Sequence, residues 1–381
     1  MTLRRMLRHV DWLVIGACIA LTAAGLLFVM SATHAQPVGG DSLYYAKRQA
    51  VWAVAGAVAL VVAASVDYAW ILRMGIWIYV ANVAVLGLVL VAGESAYGAQ
   101  RWLQVGPIRL QPSEFAKIAM IVGLASFLQR KSQDGRIVLK GIRDLIPAFL
   151  FVGFPMLLVF RQPDLGTSPV FAGILVGMLY AAGAEPKALF GLLGSIGGAA
   201  GLAVFAHYRF GLPIPLHEYQ LRRILSFFSP GSDLRYAGYH THQSQIAIGS
   251  GRLLGKGFMA GSQNQLNFLP QRHTDFIFSV IGEELGFVGA LFVLALLGFI
   301  IYRCLLAARR ARDPFGSMIA YGVAILIFFQ AVVNIAVNLN LIPVTGISLP
   351  FISYGGSGLI SLMLGIGLVE SVALRHKPLE F

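Results

Sequence analysis

Apolar residues run along this chain in blocks of about twenty, separated by short polar joints. Ten blocks stand out, at roughly 11–31, 49–66, 74–92, 112–129, 144–160, 166–182, 187–206, 276–302, 315–339 and 349–373. A bilayer core about 30 Å thick is crossed by about twenty residues of helix. The pattern therefore predicts ten membrane-spanning helices, with Pro155 and Pro169 blurring the ends of the fifth to seventh. An even number of spans places both termini on one side. The longest polar joint, 207–275, separates the seventh and eighth spans. Its stretch 244–258 alternates apolar and small residues, the pattern of a short helix lying on the membrane surface.

Composition agrees with this reading. The chain is 57% hydrophobic and 12% charged, against about 25% charged in an ordinary soluble domain. Its 43 glycines suit helices that approach closely. The net charge of +12 does not indicate nucleic acid, because the basic residues flank apolar blocks instead of forming a patch. Cys18 and Cys304 offer neither a disulfide framework nor metal-ligand spacing. Arg4, Arg5 and Arg8 followed by Trp12–Met30 and the small residues 31–35 imitate a secretory signal. The apolar run is too long for one and more spans follow, so it is read as an uncleaved first helix.

Basic residues set the orientation. With the N-terminus inside, 16 Lys and Arg fall on inner segments and 5 on the short outer loops. Short loops rich in Lys and Arg stay in the cytoplasm. Both termini are expected to be cytoplasmic, with the 207–275 loop outside. The fold class is an all-α polytopic bundle of about ten transmembrane helices, in a single domain, 1–381.

That orientation puts four polar motifs on the outer face. The first is Arg101-Trp102, then Gln111-Pro112-Ser113-Glu114 and Lys117. Pro112 suits a first helical turn and Glu114 can cap it. Lys117, three residues on, shares Glu114's face and lies deeper, where an unpaired ammonium is costly, so an ion pair is expected. The second, Arg161–Ser168 (RQPDLGTS), is a tight turn in which Asp164 either caps the next helix or joins the outer charges.

The third surrounds Asp275, at the start of the eighth span in LPQRHTDFIFSVIGEELG, 269–286. A carboxylate at the edge of hydrocarbon is a functional candidate by default. His273 beside it suggests a hydrolytic dyad, but no nucleophile motif accompanies it. Upstream, Gly249, Gly251, Gly255 and Gly257 resemble a phosphate-cradling loop without its spacing. Gly282 and Gly286 predict close helix packing, and Glu283 and Glu284 cannot both face one partner. The fourth is Pro343–Gly358, PVTGISLPFISYGGSG, which interrupts helix. Irregular backbone at membrane depth is tolerated only against protein or a wet cavity. Asn334, Asn338 and Asn340 precede it, residue types that hydrogen-bond between helices.

RWLQVGPIRLQPSEFAK, RQPDLGTS, GYHTHQSQIAIGSG, FLPQRHTDFIFSVIGEELG and TGISLPFISYGGSG resemble, in order, the signatures of the SEDS family (shape, elongation, division and sporulation). They cover the chain from the third span to its end and are closer to the elongation branch than to the division branch. The resemblance implies a ten-helix peptidoglycan glycosyltransferase that polymerises lipid II on the outer face of the membrane. It implies a class B penicillin-binding protein as transpeptidase partner, undecaprenyl-pyrophosphate-linked glycan as substrate and product, and other membrane proteins of the elongation complex as neighbours. Nucleic acid and organic cofactors are not expected, and a divalent cation, Mg or Mn, is a candidate. The family's essential aspartate falls on Asp275, as base or metal ligand. Its substrate-site residues fall on Arg101, Glu114, Lys117 and Asp164, and His273, Ser353 and Tyr354 lie within the matching motifs as further candidates. Two departures stand out: Gln271 replaces the family's usual glutamate, and Gly358 replaces its usual serine.

The chemistry suits these residues. A carboxylate such as Asp275 takes the proton of an attacking sugar hydroxyl. Arg101, Lys117 or a cation neutralises charge growing on the pyrophosphate. The competing classes are a lipid II flippase and a non-catalytic scaffold. The first needs access from both sides, while the motifs here crowd one face and no internal repeat is evident.

Overall fold

A computed structural model of the chain describes residues 10–35, 37–96, 99–106, 108–139, 141–162, 164, 166–211, 213, 227 and 237–375. Arg4, Arg5, Arg8, Pro163, Leu165, Lys377 and most of 212–236 lie outside the described residues.

The described residues open with α1 (Trp12–Thr33), α2 (Tyr44–Ser65) and α3 (Tyr68–Ala92). An antiparallel sheet follows, ordered β1 (Glu94–Ala96), β2 (Ala99–Val105), β3 (Ile108–Leu110). Then come α4 (Pro112–Gln129), a hairpin of β4 (Ser132–Gln133) and β5 (Arg136–Ile137), α5 (Ile142–Arg161), α6 (Thr167–Ala181) and α7 (Pro186–Phe210). The second half holds α8 (Ala237–Ser250), α9 (Ser262–Gln265), α10 (Ile277–Arg310), α11 (Pro314–Asn338) and α12 (Gly356–Leu374).

Eight of these helices are long and apolar enough to cross a membrane. Two more complete the ten expected spans among the described residues. They are α4, diluted by Glu114 and Lys117, and α6, an apolar helix shorter than the other spans. The chain is a multi-pass membrane protein. Local chemistry sets the helix starts. Asp67 accepts from Ala69 N at 2.9 Å and Asp313 from Gly316 N at 2.8 Å, each capping its helix. Pro112, Pro186 and Pro314 occupy first turns, where a missing N–H leaves no bond unmade.

Three stretches depart from the sequence expectation. The joint 93–111 is a sheet, with Gly106 at φ +62° between β2 and β3. The 244–258 stretch is helical only to Ser250 and then turns. The last span begins at Gly356, leaving 349–355 irregular.

Two groups of polar contacts lie at opposite ends of the bundle. At one end Arg303 pairs with Asp11, the Asp11 amide donates to Glu370 at 3.1 Å, and the Tyr68 hydroxyl donates to Asp313 at 2.6 Å. Arg375 there bonds the carbonyls of Ala64 and Ser65. The motif residues gather at the opposite end, where α1 finishes and α4, α6, α10 and α12 begin.

α10 is broken at Gly286, with φ +67° and ψ −162°. A break frees helix backbone, and buried polar backbone must find partners. The loop after α8 supplies them. Lys256 N and Gly257 N donate to the carbonyls of Glu283 and Glu284, each at 3.0 Å. Phe287 N and Val288 N donate to those of Arg252 and Leu253, at 2.9 and 3.1 Å. A Cβ on Gly255 would lie 2.1 Å from the Glu284 carbonyl oxygen, and one on Gly251 1.9 Å from that of Gly282. Of the glycines that resemble a phosphate cradle, Gly251 and Gly255 are therefore a packing device. Gly286 likewise faces Gly255 N, 2.3 Å from where its own Cβ would lie.

Gly286→Ala combines positive φ with this clash and should destabilise the protein by roughly 2–4 kcal/mol. A thermal unfolding curve in detergent checks this, with Gly194→Ala, whose Cβ meets nothing within 4 Å, expected to leave the midpoint almost unchanged.

Candidate active site

Residues 339–355 join α11 to α12 without regular structure, so their backbone groups need side-chain partners. The buried amides and hydroxyls around them meet that need. Asn334 Nδ2 donates to Ile347 O at 2.7 Å. Gln49, fully buried on α2, donates to Ser353 O at 3.1 Å and accepts from Gly355 N at 3.2 Å. Ser353 Oγ accepts from Leu349 N at 2.8 Å and donates to Thr274 O at 2.6 Å. Tyr354 N donates to His273 O at 2.8 Å. This joint therefore fixes the segment that carries Asp275.

Asp275 is held by its own backbone. Its carbonyl accepts from Asn334 Nδ2 at 2.8 Å and Asn338 Nδ2 at 3.0 Å. Asn338 Oδ1 in turn accepts from Ser279 N at 3.2 Å and Ser279 Oγ at 2.6 Å. On the other side the Gln271 carbonyl, at a residue with φ +50°, accepts from the amides of Thr274 and Asp275. The carboxylate is half-buried, and Oδ2 faces Gly346, where a Cβ would stand 3.4 Å away. Gln271 is exposed, and its side-chain oxygen accepts from Thr274 Oγ1 at 3.3 Å, a bond a neutral amide makes without a carboxylate.

Asp164 is 2% exposed and surrounded by donors. Oδ2 accepts from Gln111 Nε2 and Ser113 Oγ, both at 3.2 Å. Oδ1 lies 3.6 Å from the Arg101 guanidinium and accepts from Thr167 N at 3.4 Å. Gly166, not Asp164, is the N-cap of α6; Asp164 meets the helix start through the Thr167 amide and pairs with Arg101.

Glu114 and Lys117 form the expected ion pair at 2.8 Å, with Lys117 1% exposed. Ser361 Oγ donates to the Glu114 carbonyl at 2.7 Å, and Gln111 N to Ser357 Oγ at 2.9 Å, which ties α4 to the start of α12. A Cβ at Gly358 would lie 3.2 Å from Glu114 Oε2, so glycine there leaves room beside the carboxylate. The turn carrying Asp164 abuts the same joint, because a Cβ on Gly166 would lie 2.5 Å from Thr345 O.

The structure thus brings Arg101 to Asp164, Glu114 to Lys117, and Ser353, Tyr354 and His273 to the Asp275 segment. His273 lies apart from the ion pairs. Its ring centroid is 4.8 Å from Tyr45 and 5.6 Å from Tyr354. Burial, with a smaller contribution from Arg272, pushes its pKa down to about 4. Gln49, Gln111, Ser113 and Tyr45 complete the site although their sequence signal is weak. A glutamine near the start of an apolar span is the one hint for Gln49. Glu283 and Glu284 do face different partners: Glu283 pairs with Lys256 at 2.8 Å, and Glu284 accepts from Ser31 and from Asn264 Nδ2.

Among the described residues no three His, Cys, Asp or Glu side chains converge to hold a metal. Magnesium is commonly held by one or two carboxylates together with substrate phosphates.

A multi-pass helical bundle whose motif residues gather at one end defines an integral membrane protein. The chain belongs to the FtsW/RodA/SpoVE family of cell cycle proteins, whose profile matches residues 11–377. It is 39% identical over 372 residues to the peptidoglycan glycosyltransferase MrdB of Escherichia coli K12, covering 98% of this chain and 95% of that one. It is 34% identical over 371 residues to the probable peptidoglycan glycosyltransferase FtsW of Geobacter metallireducens, covering 96% and 95%. Among solved structures it is similar to a chain described under structural coordination of polymerization and crosslinking by a peptidoglycan synthase complex. That match has a TM-score of 0.77 and 28% identity and covers 96% of this chain and 98% of that one. The rod shape determining protein RodA of Thermus thermophilus gives a TM-score of 0.69 at 27% identity, with 96% of each chain covered.

The His273 environment has a pH signature. Its folded pKa lies below the ordinary value of 6.5, so between about 4 and 6.5 the unfolded chain binds the extra proton. Stability attributable to His273 is full above that window and falls as pH drops through it. Thermal midpoints at pH 7 and pH 5 should differ less in His273→Phe than in the wild type.

Proposed function

We propose that Asp275 is the general base with which this peptidoglycan glycosyltransferase polymerises lipid II into glycan strands, at the outer face of the cytoplasmic membrane, during cell elongation. The observation that carries this reading is that one irregular joint, 343–358, touches the segments bearing Asp275, Asp164 and Glu114 together. In the reaction an acceptor hydroxyl oxygen attacks the anomeric carbon of the donor sugar. The hydroxyl proton passes to the Asp275 carboxylate, and the bond to the lipid pyrophosphate breaks. Negative charge then grows on the pyrophosphate, and Arg101 and Lys117 are the cations for it, each oriented by its carboxylate partner, Asp164 or Glu114. Ser353, Tyr354 and His273 border the sugar side.

The excess of Lys and Arg on inner segments supports cytoplasmic termini and an outward-facing site. A class B penicillin-binding protein is the partner this reading requires, because a glycan strand made here needs cross-linking. The motif residues of the described bundle gather at one of its ends, which favours an enzyme acting at one face over a transporter with a midplane site.

Positioned acid–base catalysis contributes about 10²–10⁴-fold, so Asp275→Asn should lower lipid II polymerisation by at least about 100-fold. The assay uses purified protein with its transpeptidase partner, with and without chelator. Wild-type turnover by Asp275→Asn would remove the base assignment. Loss of activity on chelation, restored by Mn, would assign the ion a part in the same step.

A further inference from the structure

Four aromatic rings from three separate segments converge around the turn that carries Asp275, and two of them, Tyr44 and Tyr45, lie outside the motifs above. Tyr44 and Tyr45 open α2, His273 precedes Asp275 by two residues, and Tyr354 lies just before α12. Ring centroids are 5.4 Å apart for Tyr44–Tyr45, 4.8 Å for Tyr45–His273, 5.1 Å for Tyr45–Tyr354 and 5.6 Å for His273–Tyr354. All four side chains are half-buried, so the cluster is neither core nor free surface. The Arg48 guanidinium stands 5.6 Å from the Tyr44 centroid and donates to its hydroxyl at 2.9 Å.

Tyrosines at a membrane–water boundary commonly point into lipid headgroups. The direction of α2 argues against that here. Tyr45, Gln49, Trp52 and Gly56 follow one face of the helix. On that face Gln49 bonds Ser353 and Gly355, Trp52 lies against Gly356, and Gly56 lies against Met363. Tyr45 therefore points toward the start of α12 and the Asp275 segment. Tyr354 N bonding His273 O at 2.8 Å holds two of the rings in register.

We propose that Tyr44, Tyr45, His273 and Tyr354, with Arg48 at the rim, form a stacking platform for the N-acetylated amino sugar whose hydroxyl Asp275 deprotonates. The proposal rests on the glycosyltransferase reading given above. A pyranose presents a face of weakly positive C–H bonds, which suits the negative face of an aromatic ring. Its hydroxyl, acetamido or carboxylate oxygens suit the several donors of a guanidinium. His273 is neutral near pH 7, so no charge beneath the sugar must lose its water. Because His273 and Asp275 share one turn closed on the Gln271 carbonyl, a sugar stacked on the rings is brought next to the carboxylate.

A lipid-free tetrasaccharide of alternating N-acetylglucosamine and N-acetylmuramic acid tests this. It is titrated by calorimetry into the full-length detergent-solubilised protein. Wild type should bind, Tyr45→Leu and Tyr354→Leu should bind roughly 10-fold more weakly, and Tyr45→Phe should bind like wild type. Tyr44→Leu and Arg48→Gln, which alter the rim, should weaken binding several-fold with unchanged thermal midpoints. No binding to wild type, or equal binding by the leucine variants, overturns the platform. Asp275→Asn should bind the tetrasaccharide as wild type does. If it does, and yet also polymerises lipid II, the base assignment fails while the platform stands.

Discussion

The site depends on one constraint: an irregular backbone segment between two membrane-spanning helices must have its polar groups satisfied inside the protein. Residues 339–355 meet it through Asn334, Gln49 and Ser353 and through the backbone of the Asp275 segment. An unmade hydrogen bond in such a place costs about 1–3 kcal/mol for each buried group. The partners therefore fix geometry as well as stability. The Asp275 carbonyl is gripped by two buried amides of α11, so the carboxylate is aimed from a rigid element.

The same rule governs the break in α10. A helix interrupted at Gly286 would leave carbonyls and amides open, and the glycine-rich loop 251–257 closes them at backbone distance. Only glycine permits that approach. The acidic pair beside the break is buried for a related reason. Glu283 is surrounded by Lys256, Ser262 and two amides of the short α9, so a charge in apolar surroundings is met by donors on several sides. The two glutamates thus brace the loop that precedes Asp275.

Much of this was legible in the chain. Block length and low charge announced ten spans, and Pro112, Pro186 and Pro314 marked helix starts. The spacing of Glu114 and Lys117 announced an ion pair, because residues three apart share a helix face. The strands in 93–111 were missed because the short apolar alternation of β2 and β3 is broken by a turn and lies beside charged motif residues. The glycines of 249–257 were suggestive of phosphate for the wrong reason. Glycine marks close approach, and sequence does not say whether phosphate or backbone is what approaches.

By itself, the sequence determined the membrane class, the number of spans and the Glu114–Lys117 pair. Those follow from local quantities: hydropathy over about twenty residues and helix period. The pairing of Arg101 with Asp164 joins residues from two different joints. The hold of Asn334 and Asn338 on Asp275 spans about sixty positions, and the meeting of Tyr45 with His273 and Tyr354 joins the first helices to the last. These contacts were decided only by the tertiary structure. They arise where helices distant in sequence cross and exchange hydrogen bonds, and no local pattern encodes which helices those will be.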